Sequence, residues 1–239
     1  MMKRALVVFF LFTSILPVMA QDVKDFIAPV WKDVKVLAET RPDSIRGLVV
    51  RMAMAEPDTT LTLEEAVTAY CGQSFLSDGR EWLPASEAMK AQDENRMNDA
   101  GTLADSALAI NPLSLKALKA KAFVLLAQAK GTPAADSLQL VNQARTYIHR
   151  MWAVMYAIGK TGDGTKKHPF FVIDVADEYD LMGYLLEVDF TKQMLVCDKN
   201  GMNYDVFMLK DPTASFPHDK VYFEISRVLE IERRAFSGK

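Results

Sequence analysis

The hydrophobic period of this chain changes at Gly159. Before it, Leu115, Leu118, Ala122, Leu125 and Ala129 step by 3 and 4, as do Val141, Ala144, Ile148, Met151, Met155 and Ile158. That spacing lines one face of a helix with 3.6 residues per turn. After it comes Thr161-Gly162-Asp163-Gly164-Thr165, which is loop chemistry, and then short β-branched and aromatic runs. Phe170–Val175 reads as a strand. Lys192–Cys197 and Tyr204–Leu209 flank Asp198-Lys199-Asn200-Gly201, whose Asn-Gly is a strong hairpin signal. Val221–Ser226 is a last strand, alternating Val221, Phe223 and Ile225 against Tyr222 and Glu224. Residues 178–188 fit either a short helix or a strand. The expected fold is α+β, with helical hairpins over residues 21–160 and a mainly antiparallel sheet over 161–239.

Local signals divide the helical part. Asp22 to Glu39 has helical spacing, with Pro29 a potential early break. Thr62 and Glu65 form a capping box, and the helix they open is expected to stop at Gly72. Helices are expected near Ala85–Met97 and Asp99–Ile110. Asn111-Pro112 then leads into a new Ala/Leu-rich helix after Ser114. This junction resembles the one between tetratricopeptide repeats. No second copy follows one repeat later, so an ordinary stack of helical hairpins fits equally. Gly131 ends that helix, Thr132 is an N-cap candidate with Pro133 in the first turn, and Gly159 sits where a left-handed cap belongs.

The first twenty residues read as an address. Lys3 and Arg4 precede an apolar run from Ala5 to Val18, and Val18-Met19-Ala20 suits cleavage after Ala20. The run is shorter than the ~20 residues that span a bilayer, so no stable membrane span is expected after cleavage. Export to the periplasm or elsewhere in the envelope is the expectation. In an oxidising compartment Cys71 and Cys197 could pair and tie the two halves together; otherwise they are small buried hydrophobes. The formal net charge of −3 gives no footprint for nucleic acid.

Apparent active sites dissolve on inspection. Gly159-Lys160-Thr161 resembles the end of a phosphate loop, but Val154 stands where a glycine is required and the strand–helix order is reversed. His149, His168 and His218 lack zinc-helix spacing. Asp174, Asp177, Glu178 and Asp180 lack the spacing of a calcium loop and suit a turn or helix cap better. Asp163-Gly164 reads as a turn. No cofactor, metal or catalytic set is therefore assigned. Charge is more informative. Residues 112–171 carry nine Lys/Arg and two acids, including Lys116, Lys119 and Lys121. Residues 172–211 carry nine acids and three lysines. Such a split attracts an anionic partner or docks the helices on the sheet of the same molecule, and internal docking is favoured.

Six short motifs occur in order: Asp58-Thr59-Thr60-Leu61-Thr62, Tyr70-Cys71-Gly72, Asn111-Pro112-Leu113-Ser114, Gly162-Asp163-Gly164, Asp177-Glu178-Tyr179 and Val221-Tyr222-Phe223. Together they resemble a domain-of-unknown-function family of exported Bacteroidetes proteins, over nearly the whole mature chain. Where that family has a second tyrosine before the glycine, this chain has Cys71. The resemblance implies an envelope location and supplies no catalytic residues. The functional expectation is a non-enzymatic interaction module. Its candidate binding residues are Lys116, Lys119, Lys121, Asp163, Asp177, Glu178 and Tyr179, and its partner is another envelope protein or an anionic ligand. The alternative is an envelope hydrolase using Asp163, His168, Asp177 or Glu178 in a cleft between the two parts.

Overall fold

The structure, a computed structural model, describes residues 26–56 and 58–237. The expected signal peptide, residues 1–20, lies outside the described residues. Nine α-helices and a four-stranded mixed sheet are described, so the fold is α+β. None of the described helices is long and apolar enough to cross a membrane.

Helix α1 (Trp31–Thr40) begins just after Pro29, and α2 (Pro42–Met52) follows with its own proline in the first turn. Helix α3 (Leu63–Ser77) opens on the expected capping box: Thr62 Oγ1 accepts from Glu65 N, and Glu65 Oε2 accepts from Thr62 N. It does not stop at Gly72. That glycine lies mid-helix because Ile45 of α2 packs onto it, and a Cβ there would meet Ile45 Cδ1 at 2.7 Å. The left-handed cap is Asp78.

Helices α4 (Trp82–Asp93), α5 (Met97–Ile110) and α6 (Leu115–Lys130) pack through alanines. Ala85, Ala107 and Ala117 form one layer, Ala88, Ala104 and Ala120 a second, and Ala91, Ala100 and Val124 a third. Spacings of 3 and 4 place these residues on one face of each helix, and their small size lets the backbones approach. At the Asn111-Pro112 junction, Asn111 Oδ1 accepts from Leu113 N while its Nδ2 donates to Glu81 Oε1. Helix α7 (Ala134–Gly159) follows. Thr132 does not cap it, since its hydroxyl donates back to Gln128 O, and Pro133 holds the cap position. Gly159 is its last residue, against Leu185, and the cap is Lys160 in a right-handed conformation.

The sheet runs β1 (Phe170–Phe171), β4 (Lys220–Glu224), β3 (Asn203–Leu209), β2 (Phe190–Cys197). It is antiparallel except that β1 lies parallel to β4. The β2–β3 turn forms at Asn200-Gly201 as the sequence predicts, with Gly201 at φ +81°. Strand β1 is shorter than expected because Asp174 turns the chain into α8 (Val175–Asp180): its Oδ1 accepts from Ala176 N. A π-helical turn, Leu181–Leu186, continues α8 and resolves the ambiguous segment as helix. The last strand ends at Glu224, and Ser226–Ser237 form α9, which the alternating pattern gives no hint of. One cluster of buried side chains runs through both halves, from Ala38 and Ile45 through Met155 and Ile158 to Phe207, Phe223 and Val228.

Candidate functional site

Helix α8 is where the acidic run meets the basic face of α6. Lys116 and Lys119 lie one turn apart on α6, so both reach the same neighbour. Lys116 Nζ donates to Asp174 Oδ2 at 3.2 Å, and Lys119 Nζ donates to Asp180 Oδ1. Internal docking therefore consumes two of the three candidate lysines. Lys121 instead pairs with Asp105 of α5 at 2.6 Å.

Asp177 and Glu178 are buried side by side, 3% and 0% exposed, and face different neighbours. Asp177 Oδ2 accepts from Tyr70 Oη at 2.6 Å, and that phenol oxygen accepts from Ile173 N at 3.1 Å. Tyr70, fully buried in α3, thus ties α3 to the entrance of α8. Burial, followed by the Asp174 charge, holds the Asp177 carboxyl well above the usual range, with the tyrosine bond opposing. Burial likewise raises Asp180, against the attraction of Lys119.

Glu178 turns toward the sheet. Neither of its oxygens has a hydrogen-bond donor among the described residues. Burial, then the charge of Asp205 on β3, pushes its carboxyl from the ordinary 4.5 up to about 10. It therefore keeps its proton at neutral pH. Asp205, itself raised by burial, accepts from Gln193 Nε2 at 2.8 Å. Gln193 Oε1 accepts from Tyr179 Oη at 2.7 Å, and the Tyr179 ring meets Phe207 edge-on. Tyr179, Gln193 and Asp205 form a short hydrogen-bonded chain from the surface, and Glu178 is buried beside its inner end without a bond to it.

Five of the seven candidate residues thus converge on α8: Lys116, Lys119, Asp177, Glu178 and Tyr179. Lys121 and Asp163 do not. Asp163 lies in the loop before β1, where its Oδ1 accepts from Thr165 N and Thr165 Oγ1, a turn of the expected kind. His168 of the same loop sets its ring against Phe26. The two cysteines are free: Cys71 is buried in α3 and Cys197 is exposed at the end of β2. The bridge considered from sequence is not formed, because one thiol is enclosed in the core and the other lies on the outermost strand. Burial pushes the Cys71 thiol up. Among the described residues no three His, Cys, Asp or Glu side chains are grouped to hold a metal ion.

Sequence reasoning missed Tyr70, Gln193, Asp205, Glu224 and Arg227. Two carried a usable signal. Asp205 shares a strand face with Phe207, and Glu224 sits between Phe223 and Ile225, so each is a charge inside an apolar pattern. Glu224 Oε2 accepts from Trp31 Nε1 at 2.6 Å, fastening α1 to β4.

The arrangement is chemically a proton store and a brace. Its acids bind lysines, a phenol and the Gln193 amide while joining α3, α6, α8 and the sheet. No curated protein and no solved structure matches the chain significantly. The family model described as Domain of unknown function (DUF4919) matches residues 46–234, a span holding every side chain of this network, and the chain belongs to that family.

Proposed function

We propose that the chain is an exported, non-enzymatic interaction protein that binds through the free edge of its sheet. One observation carries the reading: β2 is the outermost strand, and all its residues are exposed or half-exposed, including Phe190 at 39%, Leu195 at 64% and Val196 at 38%. An exposed edge strand offers unpaired backbone groups and a row of apolar side chains to an extended segment of another chain. The buried lysine–acid network supports the reading from the other side, since it spends its charges inside the molecule. Crosslinked pull-down from the native envelope tests it. Leu195→Pro, which removes an edge N–H without touching the core, should lose the wild-type partners; capture of the same set by both proteins would sink the reading.

The hydrolase alternative, read from Asp163, His168, Asp177 or Glu178, narrows to Glu178, with Asp205 as a neighbour that the sequence reading did not include. A carboxylic acid that keeps its proton beside a second carboxyl is the arrangement acid–base catalysis uses. Burial of Glu178 requires an opening of α8 before substrate could reach it. A hydrolytic activity lost in Glu178→Gln with the fold intact would establish that reading over the first.

A further inference from the structure

We infer that the partner at the β2 edge is a second copy of this chain, paired antiparallel about Leu195. The inference rests on the edge reading above and names its occupant.

The register follows from the backbone. Asp198 N donates to Met202 O, and Lys210 N donates to Asp189 O across the same strand pair. Ile225 N donates to Asn203 O on the other side of β3. Hydrogen bonding alternates along an antiparallel strand. The Asp189 bond lies beyond the irregularity at Phe190/Lys192, so from Lys192 onward the even-numbered residues of β2 face β3, and the backbone N–H and C=O groups of Gln193, Leu195 and Cys197 point away from it. A two-fold axis at Leu195 sets Leu195 against its own copy and Gln193 against Cys197 of the other. Every outward group then meets an outward group. In this register Met194 opposes Val196, and Lys192, the only charge within β2, opposes Asp198. Lys192 and Asp198 fall at a pair without backbone bonds, where facing side chains are closest. Shifting the register by one step of two residues in either direction breaks this match and sets Lys192 against Val196 or Asn200. Asp198 is held ionised, chiefly by the backbone N–H of Met202.

Two further features make the assembly a closed dimer. The strand is irregular between Phe190 and Lys192, which limits pairing beyond Lys192. The opposite edge is β1, two residues long and buried, with Phe170 at 3% and Phe171 at 5% exposure. The sheet can therefore extend on the β2 side alone, and a two-fold contact leaves no further edge to add to.

Light scattering on the purified protein should give twice the protomer mass, and Leu195→Pro should give the protomer mass with an unchanged circular dichroism spectrum. Lys192→Asp should dissociate the dimer, and adding Asp198→Lys should restore it. In a Cys197→Ser background, Leu195→Cys should crosslink under mild oxidation, because hydrogen-bonded antiparallel partners sit about 5.5 Å apart, within disulfide reach. Gln193→Cys should not, since its copy lies about 13 Å away along the strand. A monomeric wild type at high concentration, or crosslinking through residue 193 in preference to 195, overturns the inference. If the wild type is monomeric while Leu195→Pro still loses its envelope partners, the second copy is wrong and the binding edge stands.

Discussion

The residues that most affect stability are the acids under α8, and their effect depends on pH. Glu178 has a folded value of about 10 against 4.5 ordinarily. Between those values the unfolded chain has released this proton and the folded chain has kept it. The folded state binds more protons at this site, so the contribution of Glu178 to stability is full below pH 4.5 and declines as pH rises toward 10. At pH 7 the loss is on the order of 3 kcal/mol relative to acid conditions. Glu178→Gln keeps the size of the side chain and has no titrating proton to hold. The variant should match the wild type near pH 5 and melt higher at pH 8, with the gap growing as pH rises. Thermal melts across that range decide it, and parallel curves would refute the role given to Glu178. The lysines make a second contrast. Lys119 faces Asp180, which is 6% exposed, whereas Lys121 pairs with Asp105, which is 55% exposed. Lys119→Glu should cost about 3–5 kcal/mol and Lys121→Glu about 0–1 kcal/mol. Equal losses in denaturant titrations would show that burial does not set the difference.

Among the elements, helices α4 to α7 were legible because their apolar spacing and their buried faces are the same fact. In α6 that spacing marks the face that enters the main core through Leu115, Leu118 and Ala122, and the alanine layers lie on another face, through Ala117, Ala120 and Val124. Ala104, fully buried between Ala88 and Ala120, has no room for a larger group. Ala104→Leu should overpack the layer and destabilise by about 1–3 kcal/mol, readable as a lower melting temperature. Helix α9 was overlooked beside the alternating Val221–Ser226, although Val228 and Ile231, both buried, stand three apart among charged residues. A tertiary contact fastens α9 to α3. Arg227 is 1% exposed, donates to Ser74 O at 2.6 Å and Asp78 Oδ1 at 2.9 Å, and stacks over Phe75 at 4.1 Å. It adds a second donor to the Ser74 carbonyl at the C-terminal end of α3, where the helix dipole favours a cation. Such a site cannot be read from local pattern, because its partners lie 149 and 153 residues away. Arg227→Ala should cost about 3–5 kcal/mol by leaving Asp78 and the α3 terminus uncompensated, and hydrogen exchange should show α9 losing protection first. The short β1 was missed for a similar reason. Asp174, read as a candidate for a turn or cap, opens α8 three residues after the strand ends at Phe171.

At the scale of the whole molecule, the change of period at Gly159 divides the sequence but not the core. Residues on both sides share one buried cluster, and the segment between them is tied down at several points. Ile27 N donates to Lys160 O, Phe171 N to Thr161 Oγ1 at 2.8 Å, and Tyr222 N to Gly164 O. The ion pairs from α6 to α8, the Tyr70–Asp177 bond and the Trp31–Glu224 bond each cross from the helical part to the stranded part. Two parts joined this way lose their contacts together, because separating them exposes apolar surface and strands buried acids at once. The chain should therefore unfold in a single transition, with far-ultraviolet circular dichroism and tryptophan fluorescence reporting the same midpoint. Trp31 lies on the shared boundary, so its emission reports separation of the parts. Lys167 is exposed in the loop between α7 and β1 and is open to trypsin. A cut there should leave the two pieces associated under native conditions and separable only in denaturant. Two fragments that part without denaturant, each keeping its own circular dichroism, would show that the helices and the sheet are independent units after all.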